Sequence, residues 1–143
     1  MLNKTVLVFS AHPDDEAIGC GGAVARFAAE GAVVHFVYLA DGVGARRNDG
    51  SLEDSPEYLA RKEAAQTAAN ILGASSVNFG NFPDNRMDSV DLLDIVQFIE
   101  TMIERFQPEI VLTHHAGDLN IDHRQVHQAV VTACRPQPGH SVR

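Results

Sequence analysis

Three side chains near the start of the chain have the types and the spacing of a metal site. His12 and Asp15 lie three residues apart in the run His12-Pro13-Asp14-Asp15-Glu16, at a turn that leads into a helix, so an imidazole and a carboxylate can point into one small volume. Zinc accepts such nitrogen and oxygen ligands, and a catalytic zinc needs only three from the protein. The side chains of Asp14 and Asp15 should diverge, so that one binds the metal while the other faces its water. Carboxylates that only stabilise a helix N-terminus are the alternative.

A second polar segment, residues 118–127, is predicted to supply the third ligand. It contains His123 and His127, which lie on one face of a helix and are separated by one turn, roughly 6 Å. His123 stands in the first turn and is the better ligand, whereas His127 is expected to be packed or solvated. Asp122 could orient a ring nitrogen, a role that metal-bound histidines usually require from a neighbour. His35, in a strand interior, is expected to be structural.

The elements that must position these residues alternate between strands and helices. Short apolar runs predict strands buried on both faces, and apolar stripes at helical spacing predict helices. The predicted strands are residues 6–9, 33–39, 77–79 and 110–112, and the predicted helices are about 17–30, 55–72, 91–106 and 122–134. This order indicates an α/β fold, a Rossmann-like three-layer sandwich with a mainly parallel sheet.

In the usual doubly wound order, the first strand lies in the centre of the sheet, between the second and the fourth. Ligands of such sheets bind beyond the carboxyl ends of the strands, at this switch point. The loops that leave strands one and four are the two segments rich in His and Asp, so both should converge on one crevice. This convergence predicts a mononuclear metal site made by His12, Asp15 and His123.

The composition limits the partners. The chain has 143 residues, of which 45% are hydrophobic and 21% charged, as expected for one soluble domain over residues 1–143. A net charge of −8 without a dense Lys/Arg cluster argues against nucleic acid and against an acidic membrane surface. Two distant cysteines, Cys20 and Cys134, fit no zinc or redox spacing and suggest a cytoplasmic location. The N-terminus predicts no export signal and no membrane span.

Two motifs resemble those of the LmbE-like (PIG-L) zinc N-deacetylases, which remove acetyl groups from N-acetylglucosaminyl compounds. The motifs are Ala11-His12-Pro13-Asp14-Asp15-Glu16 and Asp118-x-Asn120-x-Asp122-His123-Arg124. The resemblance extends from Val6 to Pro136. It implies three metal ligands, one general base and two polar contacts to an N-acetylated sugar conjugate. The implied metal ligands are His12, Asp15 and His123. The implied general base is Asp14, and the implied substrate contacts are Arg61 and Asp84.

The chain departs from this family in two respects. Some members have a histidine three residues before the last ligand, proposed to stabilise the oxyanion, and here that residue is Asn120. Either its amide or a neighbouring His114 or His115 would have to serve. Family members also continue beyond this length, so we expect the sheet to lack the family's C-terminal strands. Strand four would then be an open apolar edge, so we expect these 143 residues alone to be either self-associated through it as a homo-oligomer or markedly less stable than a longer version.

The reaction that the resemblance implies is hydrolysis of an N-acetyl group. A metal lowers the pKa of its water toward ~7 and polarises the carbonyl, and Asp14 takes the proton and passes it to the departing amine. One carboxylate and two imidazoles suit Zn²⁺, and also Fe²⁺ or Co²⁺. The alternatives are a nucleotide- or sugar-binding module that uses Gly19, Gly21 and Gly22, hydrolysis of another amide, and a fragment that binds metal without catalysis.

Overall fold

The computed structural model describes residues 3–45, 55–136 and 142. Four strands and four α-helices alternate along this part of the chain, with one short 3-10 helix, Met87–Ser89, before the third α-helix. The strands are β1 (Thr5–Ser10), β2 (Val33–Ala40), β3 (Ser76–Phe82) and β4 (Ile110–Leu112). The helices are α1 (Asp15–Ala29), α2 (Pro56–Leu72), α3 (Leu92–Phe106) and α4 (Ile121–Ala133).

All four strands pair in parallel, in the order β3-β2-β1-β4. The predicted place of strand one, in the centre between strands two and four, is therefore confirmed. Val6, Leu7 and Val8 of β1 are at most 2% exposed, as the unbroken apolar run predicted. The register pairs Ser10 with Tyr38, so β1 and β2 end at the same edge of the sheet.

Helices cover both faces of the sheet and make the predicted three-layer sandwich, which confirms the α/β fold class. Alternate residues of β1 point to opposite faces. Leu7 and Phe9 enter a core with α3 and α4, whereas Val6 and Val8 enter a second core with α1 and α2. The stripe predicted for α3 lies in the first of these cores and includes Ile95, Val96, Ile99 and Ile103. Among the residues described above, no helix has the length and hydropathy needed to cross a membrane.

Two predicted elements differ from the structure by more than one residue at an end, and one element was not predicted. Helix α1 begins two residues earlier, at Asp15, because the amides of Asp14 and Asp15 both bond the carbonyl of His12 and close the turn. Strand β3 extends to Phe82 because its pairing with β2 continues that far, across an irregularity. The 3-10 helix was not predicted, since three residues are too few to show an apolar period.

Strand β4 lies at one edge of the described sheet, as expected. Its residues Ile110–Leu112 are half-buried, so the prediction that they would be buried on both faces is wrong. An edge strand is covered less completely than a central strand by the flanking helices, which explains the difference. Self-association through this edge stays a prediction, and light scattering at several protein concentrations would test it.

Candidate metal centre

The turn between β1 and α1 is folded around the backbone of His12. The His12 carbonyl accepts the amides of Asp14 at 3.0 Å and Asp15 at 3.3 Å, and its own amide donates to Asp15 Oδ2 at 2.8 Å. These bonds hold Asp15 beside the imidazole, where the side chains of His12 and Asp15 are 11% and 15% exposed. The side chain of Asp14 is 50% exposed. The two adjacent aspartates therefore diverge into different environments.

Asn120 is the N-cap of α4 and fixes its first turn. Its Oδ1 accepts the amides of Asp122 at 2.8 Å and His123 at 3.4 Å, two groups that have no partner within the helix. This turn directs His123 toward the loop after β1, where His123 Nε2 lies 3.2 Å from Asp15 Oδ1. The loops that follow β1 and β4 thus meet at the crevice that the strand order predicted.

His12, Asp15 and His123 form a group that could hold one metal ion, because their ligand atoms lie within 4.8 Å of one another. His12 Nδ1 is 3.5 Å from Asp15 Oδ2, and His123 Nε2 is 3.2 Å from Asp15 Oδ1. Ligand atoms around a tetrahedral zinc with bonds near ~2.1 Å are about 3.4 Å apart. The three side chains are 11–16% exposed, which leaves an open side for water and a substrate.

A second cluster in the described residues uses the other nitrogen of His12. His12 Nε2 lies 3.1 Å from Asp84 Oδ1 and 3.0 Å from Asp122 Oδ2, and these two carboxylate side chains are 2% and 0% exposed. Both carboxylates already accept backbone amides. A metal held here would have no open side for a substrate, so this cluster is better suited to orienting the imidazole.

A third cluster consists of His114, Asp118 and His123. His114 Nε2 accepts the amide of Ala11 at 2.8 Å, which occupies its lone pair, and its ring stacks on His123 with centroids 3.9 Å apart. Asp118 Oδ2 lies 3.0 Å from His123 Nδ1. In this arrangement His114 and Asp118 hold the ring of His123, and they do not offer a separate set of free ligand atoms.

Each histidine of the candidate site therefore has a carboxylate on its second ring nitrogen. Asp122 Oδ2 faces His12 Nε2, and Asp118 Oδ2 faces His123 Nδ1. Such partners fix the orientation of a metal-bound imidazole and increase its basicity. Asp122 is itself held by two backbone amides, at 2.6 and 3.0 Å. The sequence predicted an orienting role for Asp122 but assigned none to Asp118, whose only signal was its place five residues before His123.

The carboxylates set the protonation of the site. Burial by itself would lower the pKa of His12, but hydrogen bonds to Asp122, Asp15 and Asp84 outweigh it and raise the pKa to about 11. Burial would raise the pKa of Asp15, but its bonds to His12 hold that pKa below its usual value. At neutral pH a proton on His12 thus compensates the surrounding carboxylates. A divalent cation would take the place of that proton.

The sequence profile of one family, described as GlcNAc-PI de-N-acetylase (PIG-L), matches residues 7–134 of this chain. This chain belongs to the PIG-L family. The matched range includes both motifs and every ligand of the candidate metal centre. The family resemblance of the two motifs is confirmed by this match.

Curated relatives and solved structures agree with the family. The uncharacterized deacetylase YaiS of Escherichia coli K12 is 35% identical over 140 residues, which cover 94% of this chain and 70% of YaiS. The diacetylchitobiose deacetylase of Thermococcus kodakarensis is 32% identical over 132 residues, 83% of this chain and 48% of that protein. The structure of GalB, the 4-carboxy-2-hydroxymuconate hydratase of Pseudomonas putida KT2440, matches with a TM-score of 0.78 at 35% identity, over 91% of this chain and 55% of GalB. This PIG-L chain therefore spans about half the length of the last two proteins.

The two substrate contacts implied by the PIG-L resemblance lie in different surroundings. Arg61 extends from α2, with Nη1 3.5 Å from Asp14 Oδ2 and 3.4 Å from the Pro13 carbonyl, and its side chain is 36% exposed. Asp84 is 2% exposed and lies 3.1 Å from His12 Nε2. Asp84 therefore lies on the Nε2 side of His12, the proposed metal ligand, and its role as a substrate contact stays a prediction. The carboxylate is buried because the protein itself supplies its hydrogen-bond donors.

The three candidate oxyanion donors also differ in position. His115 is exposed, and its Nδ1 accepts a backbone amide of its own loop at 3.0 Å. Asn120 uses its Oδ1 for the helix cap, and its Nδ2 donates to a neighbouring side chain at 3.3 Å. His114 lies inside the site, and burial lowers its pKa to about 4. His127 is half-buried and donates from Nδ1 to the His114 carbonyl at 2.7 Å, so it supports this loop from below the site.

Proposed function

We propose that this protein is a metal-dependent hydrolase that removes an N-acetyl group from an N-acetylglucosaminyl-type substrate. The observation that carries the proposal is the accessible carboxylate of Asp14 next to the three-ligand group His12, Asp15 and His123. A divalent ion held there would lower the pKa of water toward ~7 and polarise a carbonyl group. The family description and the diacetylchitobiose deacetylase support N-acetylated sugars as the substrate class.

Asp14 is the proposed general base. Its side chain is half exposed, and its contact with Arg61 Nη1 is a long one of 3.5 Å, so a water molecule can reach the carboxylate. Asp14 takes a proton from the attacking water and later delivers it to the nitrogen of the leaving group. Amide and water are thereby converted to a free amine and acetate. Arg61, which borders the same carboxylate, is the proposed contact for a polar group of the substrate.

The metal and the oxyanion donor are proposed from the available side chains. Two imidazole nitrogens and one carboxylate fit Zn²⁺, and the same set accepts Fe²⁺ or Co²⁺. His114, whose N–H is on Nδ1 because its Nε2 accepts the Ala11 amide, and Asn120 are the two candidates to donate a hydrogen bond to the oxyanion, because His115 is exposed and bonded within its own loop. A donor at this position stabilises the charge that develops on the carbonyl oxygen.

A small molecule is the proposed partner. The net charge of −8 would repel nucleic acid and anionic membranes. A homo-oligomer and a cytoplasmic location stay predictions from the sequence.

GalB gives a specific reason to test a second reaction. It is a hydratase by name, and at 35% identity it is as similar to this chain as the deacetylase relatives are. A hydratase adds water across a carbon–carbon double bond, so a base that accepts a proton from water could serve either reaction. Hydration of an unsaturated carboxylic acid is therefore the alternative proposal.

Two assays on the same metal-loaded protein would separate these functions. The first measures release of a primary amine from a panel of N-acetylated glucosamine derivatives. The second follows the absorbance of a conjugated double bond in unsaturated carboxylic acids. Metal-dependent amine release supports the deacetylase, and loss of the double bond without amine release supports the hydratase. A protein that binds one equivalent of metal and does neither would match the predicted binding without catalysis and would contradict both proposals.

A further inference from the structure

Asp84 connects two parts of the molecule through its two carboxylate oxygens. Oδ1 lies 3.1 Å from Nε2 of His12, and Oδ2 accepts the amide of Ala45 at 2.8 Å. Asn85 Nδ2 donates a further bond to Oδ1 at 2.9 Å. The Asp84 side chain is 2% exposed, so both oxygens are engaged within the protein. One buried carboxylate therefore joins a proposed metal ligand to residues 41–45, the loop that follows β2.

The same loop also packs directly on His12. Gly42 has φ +73°, and a Cβ at this position would lie 3.1 Å from Pro13 Cδ and 3.4 Å from His12 Cβ. Glycine meets both requirements because it tolerates a positive φ and has no Cβ. Asp41 Oδ1 accepts two amides of the loop, at 2.7 and 2.9 Å, which fixes its turn. A displacement of this loop would therefore disturb His12 in two ways, through the packing of Gly42 on His12 and Pro13 and through Asp84.

Asp122 already provides what is needed to orient the ring of His12. Its Oδ2 lies 3.0 Å from His12 Nε2 and it accepts two further amides, all within a fully buried environment. An imidazole has a single N–H at Nε2, so a second carboxylate on that atom is not required for orientation. Among the described residues, Asp84 adds a link to the loop of residues 41–45 that Asp122 does not make, the bond from the Ala45 amide.

We propose that Asp84 is a positioning residue that couples the loop of residues 41–45 to the metal site through His12, and that it does not contact the substrate. The inference rests on the metal centre of the proposed function. Coupling between two sites is reciprocal. On this proposal, metal bound at His12 stabilises the bond between Asp84 and Ala45, and by reciprocity that bond increases the affinity for the metal by the same factor.

Asp84→Asn separates this role from substrate binding. Asparagine keeps one acceptor oxygen and replaces the other with an amide donor, so His12 Nε2–H and the Ala45 amide cannot both be satisfied. We expect the affinity for Zn²⁺, measured by competition with a chromogenic chelator, to fall on the order of 10–100-fold. Asp88→Asn, at an exposed residue of the neighbouring 3-10 helix, is the matched control and should keep the wild-type affinity.

Hydrogen exchange of the Ala45 amide, followed by NMR, gives a second readout that does not depend on activity. Zn²⁺ should slow this exchange in the wild-type protein and should have no such effect in Asp84→Asn. The inference is overturned if the variant binds Zn²⁺ as tightly as wild type and only its KM rises, since that result identifies a substrate contact.

Two further outcomes distinguish this inference from the function on which it rests. If wild-type protein binds no metal, the proposed function fails, and the coupling fails with it. If wild-type protein binds Zn²⁺ but exchange at Ala45 does not change, only the coupling is wrong. This second result needs no variant, so it decides the question even if Asp84→Asn does not fold.

Discussion

Two buried or half-buried histidines, at opposite ends of the same sheet, have pKa values shifted in opposite directions. His12 follows the carboxyl end of β1, and His35 lies near the amino end of β2. Burial lowers the pKa of His35, and the charge of Arg105 lowers it further. Burial acts in the same direction on His12, but three carboxylates outweigh it and raise the pKa to about 11.

The partners of the two rings explain the difference. His35 Nδ1 lies 2.7 Å from the hydroxyl of Ser76, and its ring stacks on Phe106 with centroids 4.2 Å apart. These partners fix the position of the ring without supplying negative charge, so His35 is held as a neutral structural residue. His12 is surrounded by carboxylates, which favour a cation at the site, either a proton or a metal ion. Residue type and burial alone do not distinguish these two histidines, whereas the charge of their partners does.

The largest effect should come from removing a proposed ligand at the carboxyl end of the sheet. His12→Ala, Asp15→Ala or His123→Ala is expected to abolish stoichiometric Zn²⁺ binding, because each removes one of the three proposed protein ligands. His127→Ala should retain the metal, as measured by elemental analysis after dialysis. If His127→Ala lost the metal while His123→Ala kept it, the ligand assignment would be wrong by one helical turn.

The next effect separates catalysis from metal binding. Asp14→Asn keeps the size of the side chain but removes the proposed base, so we expect one bound Zn²⁺ per chain and a loss of deacetylation on the order of 10²–10⁴-fold. Metal content and amine release are measured on the same sample. Full activity in this variant would show that another group is the base, and loss of the metal would make Asp14 a ligand.

At the amino end of the sheet, removing the Ser76 hydroxyl that bonds His35 should have a modest effect, and only on stability. Ser76→Ala deletes the hydroxyl bonded to His35, and we expect the free energy of unfolding to fall by about 0.5–1.5 kcal/mol. Urea denaturation gives this value, and the Zn²⁺ content should not change. A loss of metal in Ser76→Ala would mean that the two ends of the sheet are not independent.

The smallest effect is on the pH dependence of stability. The pKa of His35 lies below its unfolded value of about 6.5, so the unfolded chain binds more protons as the pH falls through that value. Stability contributed by neutral His35 is present above about pH 6.5 and decreases below it. His35→Asn should flatten this decrease between about pH 7.5 and pH 5. Equal slopes for His35→Asn and wild type would contradict the shift.

The sequence predicted the sheet order and the meeting of His12, Asp15 and His123, because both depend on strong local patterns. Unbroken apolar runs mark buried strands, and the polar loops after β1 and β4 must meet once those strands are neighbours. The surroundings of Asp84 were not predicted, because they depend on contacts between residues far apart in the chain. The motif showed a carboxylate beside a turn, and nothing local indicated that it would be buried against His12.

Anomalous diffraction at the zinc absorption edge, from crystals grown with Zn²⁺, tests the proposed metal centre most directly. The arrangement of the side chains predicts one peak about 2.0–2.2 Å from His12 Nδ1, from an oxygen of Asp15 and from His123 Nε2. Asp14 should lie outside bonding distance of that peak. A peak bonded to Asp14, or one on the Nε2 side of His12 beside Asp122, would contradict the assignment of ligands and base.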